Sequence, residues 1–507
     1  MKKNSVLKAT ALVFGLSLIA KLIGFAKSIM QASIFGTSME TDVFNVSNGF
    51  VSNILYMLTM AVAVAFVPLY IQHKTRSRED GRKFGTRTIT TLFLVAIAIS
   101  LFLIVFSPVV VKVIAPSYSG EAYQLTIKYF RVLCLGICFS LAAHLFTNLL
   151  NAEKVYGYSA FGSIINSIVL IALMMFFSRT LGVWSLVISV PISFVLQWLM
   201  LYYKGKRYAA ISFRYGIRDE SLKILLIQAI PILISQATVE INQVVDRALL
   251  TSIGVGALTA VSYSAVLYQF ASTLVSTPLS TVMFTELSEA GAKKDNAAIK
   301  RILKNCYRVL LIVCIPIVAV IFFCSGDIVR IVYGHGRFTA EAVQQCAVGL
   351  QMYGLCLFPV CIKTVLSRAY YGLNDTRRPM VIGMLEVALN IGLSVALVKP
   401  LGIIGVVGAT GIASVVFIIV MLIDFNKKYM KVLSSSSLNA CWKILVSGVI
   451  AVVVLALANR VFLVNSLVDF IVKTLLTFAV FLVLLLALKE KTTKSILGKV
   501  LRRVRRS

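Results

Sequence analysis

Long apolar runs alternate with short polar connections along the whole 507-residue chain. The runs read 8–35, 43–72, 88–114, 122–150, 157–178, 183–203, 224–252, 257–288, 309–333, 341–371, 380–398, 402–424, 440–462 and 466–488. A helix needs about 20 apolar residues to cross about 30 Å of hydrocarbon, and each run is near or above that length. Strand-like alternation is absent, and unpaired strand backbone cannot face lipid. The expectation is an all-α polytopic membrane protein with about 14 transmembrane helices. The longest runs must tilt, kink or extend beyond the bilayer, with Pro231, Pro278, Pro316 and Pro359 as expected kink points.

The cations fall in alternate connections. Six Lys/Arg lie in Gln72–Arg87, six in Lys204–Lys223, six in Lys293–Arg308 and eight from Lys489 to the end, while the connections of the opposite side carry none or a single cation such as Arg179, Arg337 or Arg460. The basic side is expected to be cytoplasmic, which puts both termini there and requires an even number of spans. Lys2, Lys3 and Lys8 precede the first run as in a signal peptide, but no small-residue cleavage site follows, so the run reads as a retained first helix.

A repeat runs through the pattern. Ile34-Phe35-Gly36 followed by Asp42-Val43-Phe44 returns as Ser252-Ile253-Gly254 followed by Ala260-Val261-Ser262, about 218 residues later. Leu150-Asn151-Ala152 pairs in the same way with Leu373-Asn374-Asp375, and Asn166 with Asn390. Spans one to six therefore read as repeated in spans seven to twelve. The expected organisation is a lobe over 1–210, a second lobe over 211–430 related to it by pseudo-two-fold symmetry, two extra helices over 431–490 and a basic tail over 491–507.

Composition narrows the function. The chain is 59% hydrophobic, 14% charged and carries a formal net charge of +30. Because most of that charge sits in loops and the tail, it points to topology and anionic lipid rather than nucleic acid. The nine cysteines lie mainly within apolar runs and form no CxxC pair, so they read as small buried hydrophobes. No Walker A, HExxH or GxSxG motif is present, and His73, His144 and His335 are scattered. Nothing indicates an enzyme or a resident cofactor.

Charges inside the spans are functional candidates by default, because burying one in hydrocarbon is expensive. Span one carries Lys21 and Lys27; span four carries Lys128, Arg131 and His144; span ten carries Lys363 and Arg368. In span seven Glu240, Gln243 and Arg247 share one helical stripe, and Asn242 and Asp246 another. Glu386 and Asn390 share a face of span eleven. Oxygen ligands on two helices suit a hard cation such as Na⁺, or a proton on a carboxylate. Internal salt bridging is the competing reading.

These features resemble the MurJ (MviN) family of lipid II flippases, in the multidrug/oligosaccharidyl-lipid/polysaccharide exporter superfamily. The resemblance rests on Lys21-Leu-Ile-Gly24-Phe25-Ala-Lys27, on Phe35-Gly36 with Asp42-Val-Phe44, and on Ala65-Phe66-Val67-Pro68. Tyr333-Gly-His-Gly-Arg-Phe338-Thr339 and Asn374-Asp-Thr376-Arg-Arg-Pro379 add to it. It implies a flippase for a polyprenyl-diphosphate-linked sugar, working by alternating access, with spans thirteen and fourteen shaping a groove for the lipid tail. Lys21, Lys27 and Asp42 match functional family positions, and Arg131, Arg247 and Lys363 join them as candidate substrate-binding residues. Asp246, Glu386 and Asn390 resemble a family Na⁺ arrangement, with Thr410 a looser match. The chain departs from the family where lysine replaces two arginines, where Ser52–Met57 lacks an arginine and at Val266. Lipid II, another lipid-linked glycan, and a cationic drug exchanged for a coupling cation are the substrate classes to separate. A non-transporting scaffold is the remaining alternative. Expected partners are anionic lipids and cell-wall synthesis proteins, and the expected location is the bacterial cytoplasmic membrane.

Overall fold

The computed structural model describes residues 3–212, 220–293, 295–373, 375–431, 435–461, 467–490 and 492–494. Lys2, Arg214, Arg218, Lys294, Asn374, Lys491 and the basic tail over 495–507 lie outside the described residues. Fourteen helices among the described residues are long and apolar enough to cross a membrane. Many of their large side chains point outward, such as Phe176 at 80% and Val105 at 67% exposure. That surface suits hydrocarbon, where every backbone polar group must be satisfied within the helix.

The chain divides into two compact units, one of Met1–Thr259 with Gly336–Phe338, the other of Ala260–His335 with Thr339–Ser507. Unit 1 contains α1 (Lys3–Phe35), α2 (Met39–Arg76), α3 (Arg78–Val105), α4 (Ser107–Ile114), α5 (Gly120–Cys134), α6 (Gly136–Ala152), α7 (Tyr156–Leu181), α8 (Trp184–Gly205) and α9 (Glu220–Leu250). The helix α10 (Ala257–Ala292) starts within unit 1 and continues as part of unit 2. Unit 2 then holds α11 (Asn296–Phe323), α12 (Ser325–Tyr333), α13 (Ala340–Gly372), α14 (Arg377–Leu401), α15 (Ile403–Lys428), α16 (Ser435–Val461) and α17 (Leu467–Ala487). The helix boundaries keep the repeat offset: α10, α11 and α12 begin 218 residues after α2, α3 and α4.

Local chemistry explains several departures from the expected spans. The basic segment Gln72–Arg87 is helical rather than a loop, broken only at Ser77. Ser77 ends α2 by donating its backbone N–H to His73 O (3.2 Å) and starts α3 by accepting from Asp80 N at 2.9 Å. His73 bridges Asp80 (2.9 Å) and Ser221 (3.0 Å), which fastens this corner to the start of α9. Span four is broken at Leu135 into α5 and α6. At the break the carbonyl of Cys134 accepts from Ser100 Oγ at 2.5 Å, which satisfies that acceptor. Pro108 starts α4 in the first turn, where a missing N–H is tolerated.

The unit boundary at Thr259 differs from the lobe boundary expected near residue 210. The cause is α9, which packs along α2 and meets it through Asn53, Glu240 and Arg247. The core of unit 1 gathers Phe66, Tyr70, Phe84, Ile89, Leu141 and Phe146 from α2, α3 and α6. In unit 2 the core joins Leu303, Leu310, Leu357, Tyr370, Phe417 and Phe425 from α11, α13 and α15. The two last helices, expected as an appendage, count with unit 2. Ile444 and Ala451 of α16 and Phe481 and Leu485 of α17 form one buried cluster with Leu311 of α11.

Polar ties reinforce unit 2. Asp375, just before α14, accepts from Lys428 Nζ (3.0 Å) and Tyr429 OH (2.8 Å). Burial raises its pKa, but these hydrogen bonds outweigh that and leave it below the ordinary carboxylate value. Asp424 accepts from Arg378 and from Tyr370 OH (2.7 Å), so the ends of α13, α14 and α15 are joined. Lys473 of α17, 4% exposed, lies 2.8 Å from Asp469 and 3.5 Å from Asp327 of α12. Removing one member of a buried ion cluster strands the rest, at about 3–5 kcal/mol. Lys473→Ala is therefore expected to lower the melting temperature of the detergent-solubilised protein sharply. Lys473→Met with Asp469→Leu and Asp327→Leu should recover most of the loss. A Lys473→Ala protein that melts like wild type would contradict this account.

Candidate functional site

Each sequence-derived candidate is placed by its own helix. Lys21 is exposed and Lys27 half-buried on α1, which packs on α7. Neither has a hydrogen-bond or ion-pair partner among the described residues. Both therefore offer an uncommitted ammonium, a flexible point charge suited to an anion without fixed geometry.

Asp42 is committed. Ser38 and Thr41 form a capping box that starts α2 at Met39, and Thr41 immediately precedes Asp42. The Asp42 side chain then turns into the first turn of α10. It accepts from Gly256 N (2.5 Å), Thr259 N (2.8 Å) and Thr259 Oγ1 (2.6 Å). A carboxylate at a helix N-terminus meets unpaired N–H groups and the positive end of the dipole. Thr259 Oγ1 also lies 3.4 Å from Thr41 Oγ1, and these two threonines occupy matched positions of the 218-residue offset. Just upstream, Gly36 has φ +61°, and a Cβ there would collide with the carbonyl of Arg337, whose N–H donates to Ser33 O at 2.8 Å. Within unit 1, Gly336–Phe338 is thus tied to the end of α1 through Arg337.

Arg247 of α9 donates to Asn53 Oδ1 (3.2 Å) and Gln243 Oε1 (3.4 Å). Its guanidinium occupies the space a side chain at Gly49 would fill. Asn53 also donates to the Glu240 carbonyl at 3.5 Å. Glu240 lines a cavity of about 540 Å³ between α2 and α9, walled mainly by Phe50, Ile54, Ile241 and Val245. Asp246 accepts from Asn242 at 3.3 Å on the same helix. Arg131 is exposed and donates to Ser107 Oγ at 2.8 Å, tying α5 to the start of α4.

In unit 2 the structure brings four candidates together. The Lys363 ammonium on α13 lies 2.5 Å from Glu386 Oε2 on α14 and 5.0 Å above the Phe417 ring. Ser414 Oγ of α15 donates to Glu386 Oε1 at 3.0 Å. One turn along, Asn390 donates to Thr410 Oγ1 (3.1 Å) and accepts from Ser394 Oγ (3.4 Å). Lys363 and Glu386, expected in separate roles, form one ion pair.

Sequence reasoning missed Gly256, Thr259, Asn53, Ser414 and Phe417. For Thr259 a signal existed, since it repeats Thr41 at the established offset. Ser414 and Phe417 carry no comparable signal, because hydroxyls and aromatics are common in spans.

Long apolar helices in two units, with charged side chains within the spans, define a polytopic membrane transporter fold. The family model "Lipid II flippase MurJ" matches residues 31–481, so the chain belongs to the MurJ family. Curated relatives include a probable lipid II flippase MurJ of Rhizobium tropici, 28% identical over 410 residues, covering 78% of this chain and 76% of that protein. Another is the lipid II flippase MurJ of Burkholderia cenocepacia, 24% identical, covering 75% and 76%. Among solved structures, a lipid II flippase MurJ in an inward closed conformation matches with TM-score 0.81 at 23% identity, covering 94% of this chain and 98% of that one. An inward-facing transporter of the multidrug-resistance MATE family matches with TM-score 0.68 at 15% identity, covering 83% and 98%. An outward-facing one matches at 0.57 and 16%, covering 83% and 96%.

Asp42→Ala would strand three buried donors, at on the order of 1–3 kcal/mol for each. Asp42→Asn keeps an acceptor and should lose less. Melting of purified variants should rank wild type above Asp42→Asn above Asp42→Ala. Equal melting of all three would rule out the capping role.

Proposed function

We propose that this protein moves a polyprenyl-diphosphate-linked sugar, lipid II being the favoured substrate, from the inner to the outer leaflet of the bacterial cytoplasmic membrane. The family match over residues 31–481 carries the reading. Two features support it. The uncommitted ammonium groups of Lys21 and Lys27 supply the positive charge a diphosphate needs. The MATE neighbours on the same fold have been seen facing inward and facing outward, as alternating access requires.

In this reading the sugar diphosphate leaves the cytoplasmic leaflet attracted by Lys21 and Lys27, while its lipid tail stays in hydrocarbon. Lysine holds the phosphates as a point charge, without the bidentate grip of arginine. Arg131 and Arg247 also tie helices together within unit 1, through hydrogen bonds to Ser107 and Asn53. The repeat lobes over 1–210 and 211–430 would rock against each other, with 431–490 bordering the lipid tail. The termini and the basic connections face the cytoplasm and its anionic lipids. Enzymes that build and consume the lipid-linked precursor act on either side, and the protein itself makes or breaks no bond.

Export of a cationic drug is the second reading, favoured by the MATE likeness. It calls for uncompensated carboxylates in a cavity; Asp42 and Glu386 are both engaged, which leaves Glu240 as the acidic residue such a reading would use. Expression in a bacterium depleted of its own lipid II flippase tests the choice. The wild-type chain should restore growth. Lys21→Ala and Lys27→Ala should abolish rescue at equal membrane abundance, and Lys→Arg should retain it. Full rescue by both alanine variants would remove the anion-site reading. Drug resistance without rescue would favour the second.

A further inference from the structure

We infer that Lys363 is the built-in counter-cation of Glu386, and that it closes the oxygen cluster between α14 and α15 to exchangeable metal cations. The cluster is assembled from two helix faces. Glu386, Asn390 and Ser394 follow one another at intervals of four on α14, and Thr410 and Ser414 do so on α15. Glu386 meets Ser414, and Asn390 meets Thr410. Carboxylate, amide and hydroxyl oxygens of this kind are hard ligands, the set a small inorganic cation takes.

The charge balance decides what occupies it. The Glu386 side chain is 9% exposed, so its carboxylate requires a positive partner at close range. Lys363 Nζ supplies it at 2.5 Å, with the Phe417 ring 5.0 Å away as a second, cation–π contact. The other carboxylate oxygen takes the Ser414 hydroxyl. With the ammonium in place the cluster is neutral. A metal cation entering as well would bring an unbalanced charge into a membrane span. It could enter only if the Lys363 ammonium, on a side chain 36% exposed, swung away from Glu386 and gave up both the ion pair and the Phe417 contact. Lysine suits this role because its compact head contacts a single carboxylate oxygen, leaving the other to Ser414.

For transport the consequence is that this cluster does not couple flipping to Na⁺. That consequence rests on the flippase reading; cation binding does not, and it is measured without substrate.

The test uses the purified full chain in detergent, melted in NaCl or in choline chloride at equal ionic strength. Wild type and Glu386→Gln should melt at the same temperature in both salts. Lys363→Met should show a saturable rise in NaCl, which Lys363→Met with Glu386→Gln should lack. A saturable Na⁺ rise in wild type that Glu386→Gln removes would overturn the proposal. So would a folded Lys363→Met protein with no response to Na⁺. If Lys363→Met does not fold, ²²Na⁺ binding to wild type decides. Binding abolished by Glu386→Gln contradicts the proposal, and its absence supports it. In vesicles, wild-type flipping should change less than twofold between the two salts; a flipping assay that fails altogether bears on the substrate reading and leaves the binding result standing.

Discussion

A charge carried into hydrocarbon must bring its compensation with it, because no water is there to supply it. The same constraint acts on the backbone, which has to close its hydrogen bonds within each helix. Where a helix stops inside a span, a neighbour can supply a partner, as Ser100 does for the carbonyl of Cys134. Where a carboxylate sits in a span, a donor set must surround it. Asp42 finds three donors at the start of α10, and Glu386 finds Lys363 and Ser414. Lys473 of α17 sits between Asp469 and Asp327 in the same way.

Compensated charges hold helices together; an uncompensated one is available for work. Lys363 and Glu386, singled out by their position in spans, belong to the first kind. Arg131 pins α5 to α4, and Arg247 fills the gap opposite Gly49. Lys21 and Lys27 are the contrast, two cations on α1 with no partner among the described residues. In the proposed function, a lipid-borne diphosphate is their counter-charge. The division of labour therefore follows from pairing, and not from which residues are charged.

The helices are legible in the sequence because length and hydropathy are properties of one segment. The fourteen spans and the 218-residue offset of their starts can both be read that way. What fails is anything set by a neighbouring helix. The segment around Ser77 reads as a loop because it is rich in lysine and arginine, yet α2 and α3 continue through it and meet at a cap. The break at Leu135 lies inside an apolar run that looks uniform. Unit 1 extends to Thr259 because α9 packs on α2, and no local pattern announces that packing. For the sites, position in a span draws attention to Lys363 and Glu386 one at a time, but spacing along one helix says nothing about partners on another. Their pairing needs the packing of α13 on α15 and of α14 on α15.

The central claim is that the chain carries a lipid-borne diphosphate head group across the bilayer. Purified protein in vesicles holding a head-group-labelled lipid II tests it most directly, with an impermeant reductant added outside. The account predicts that the label in the inner leaflet, protected in protein-free vesicles, becomes quenchable at a rate that rises with the amount of protein. A protected fraction that persists in vesicles holding folded protein would contradict it.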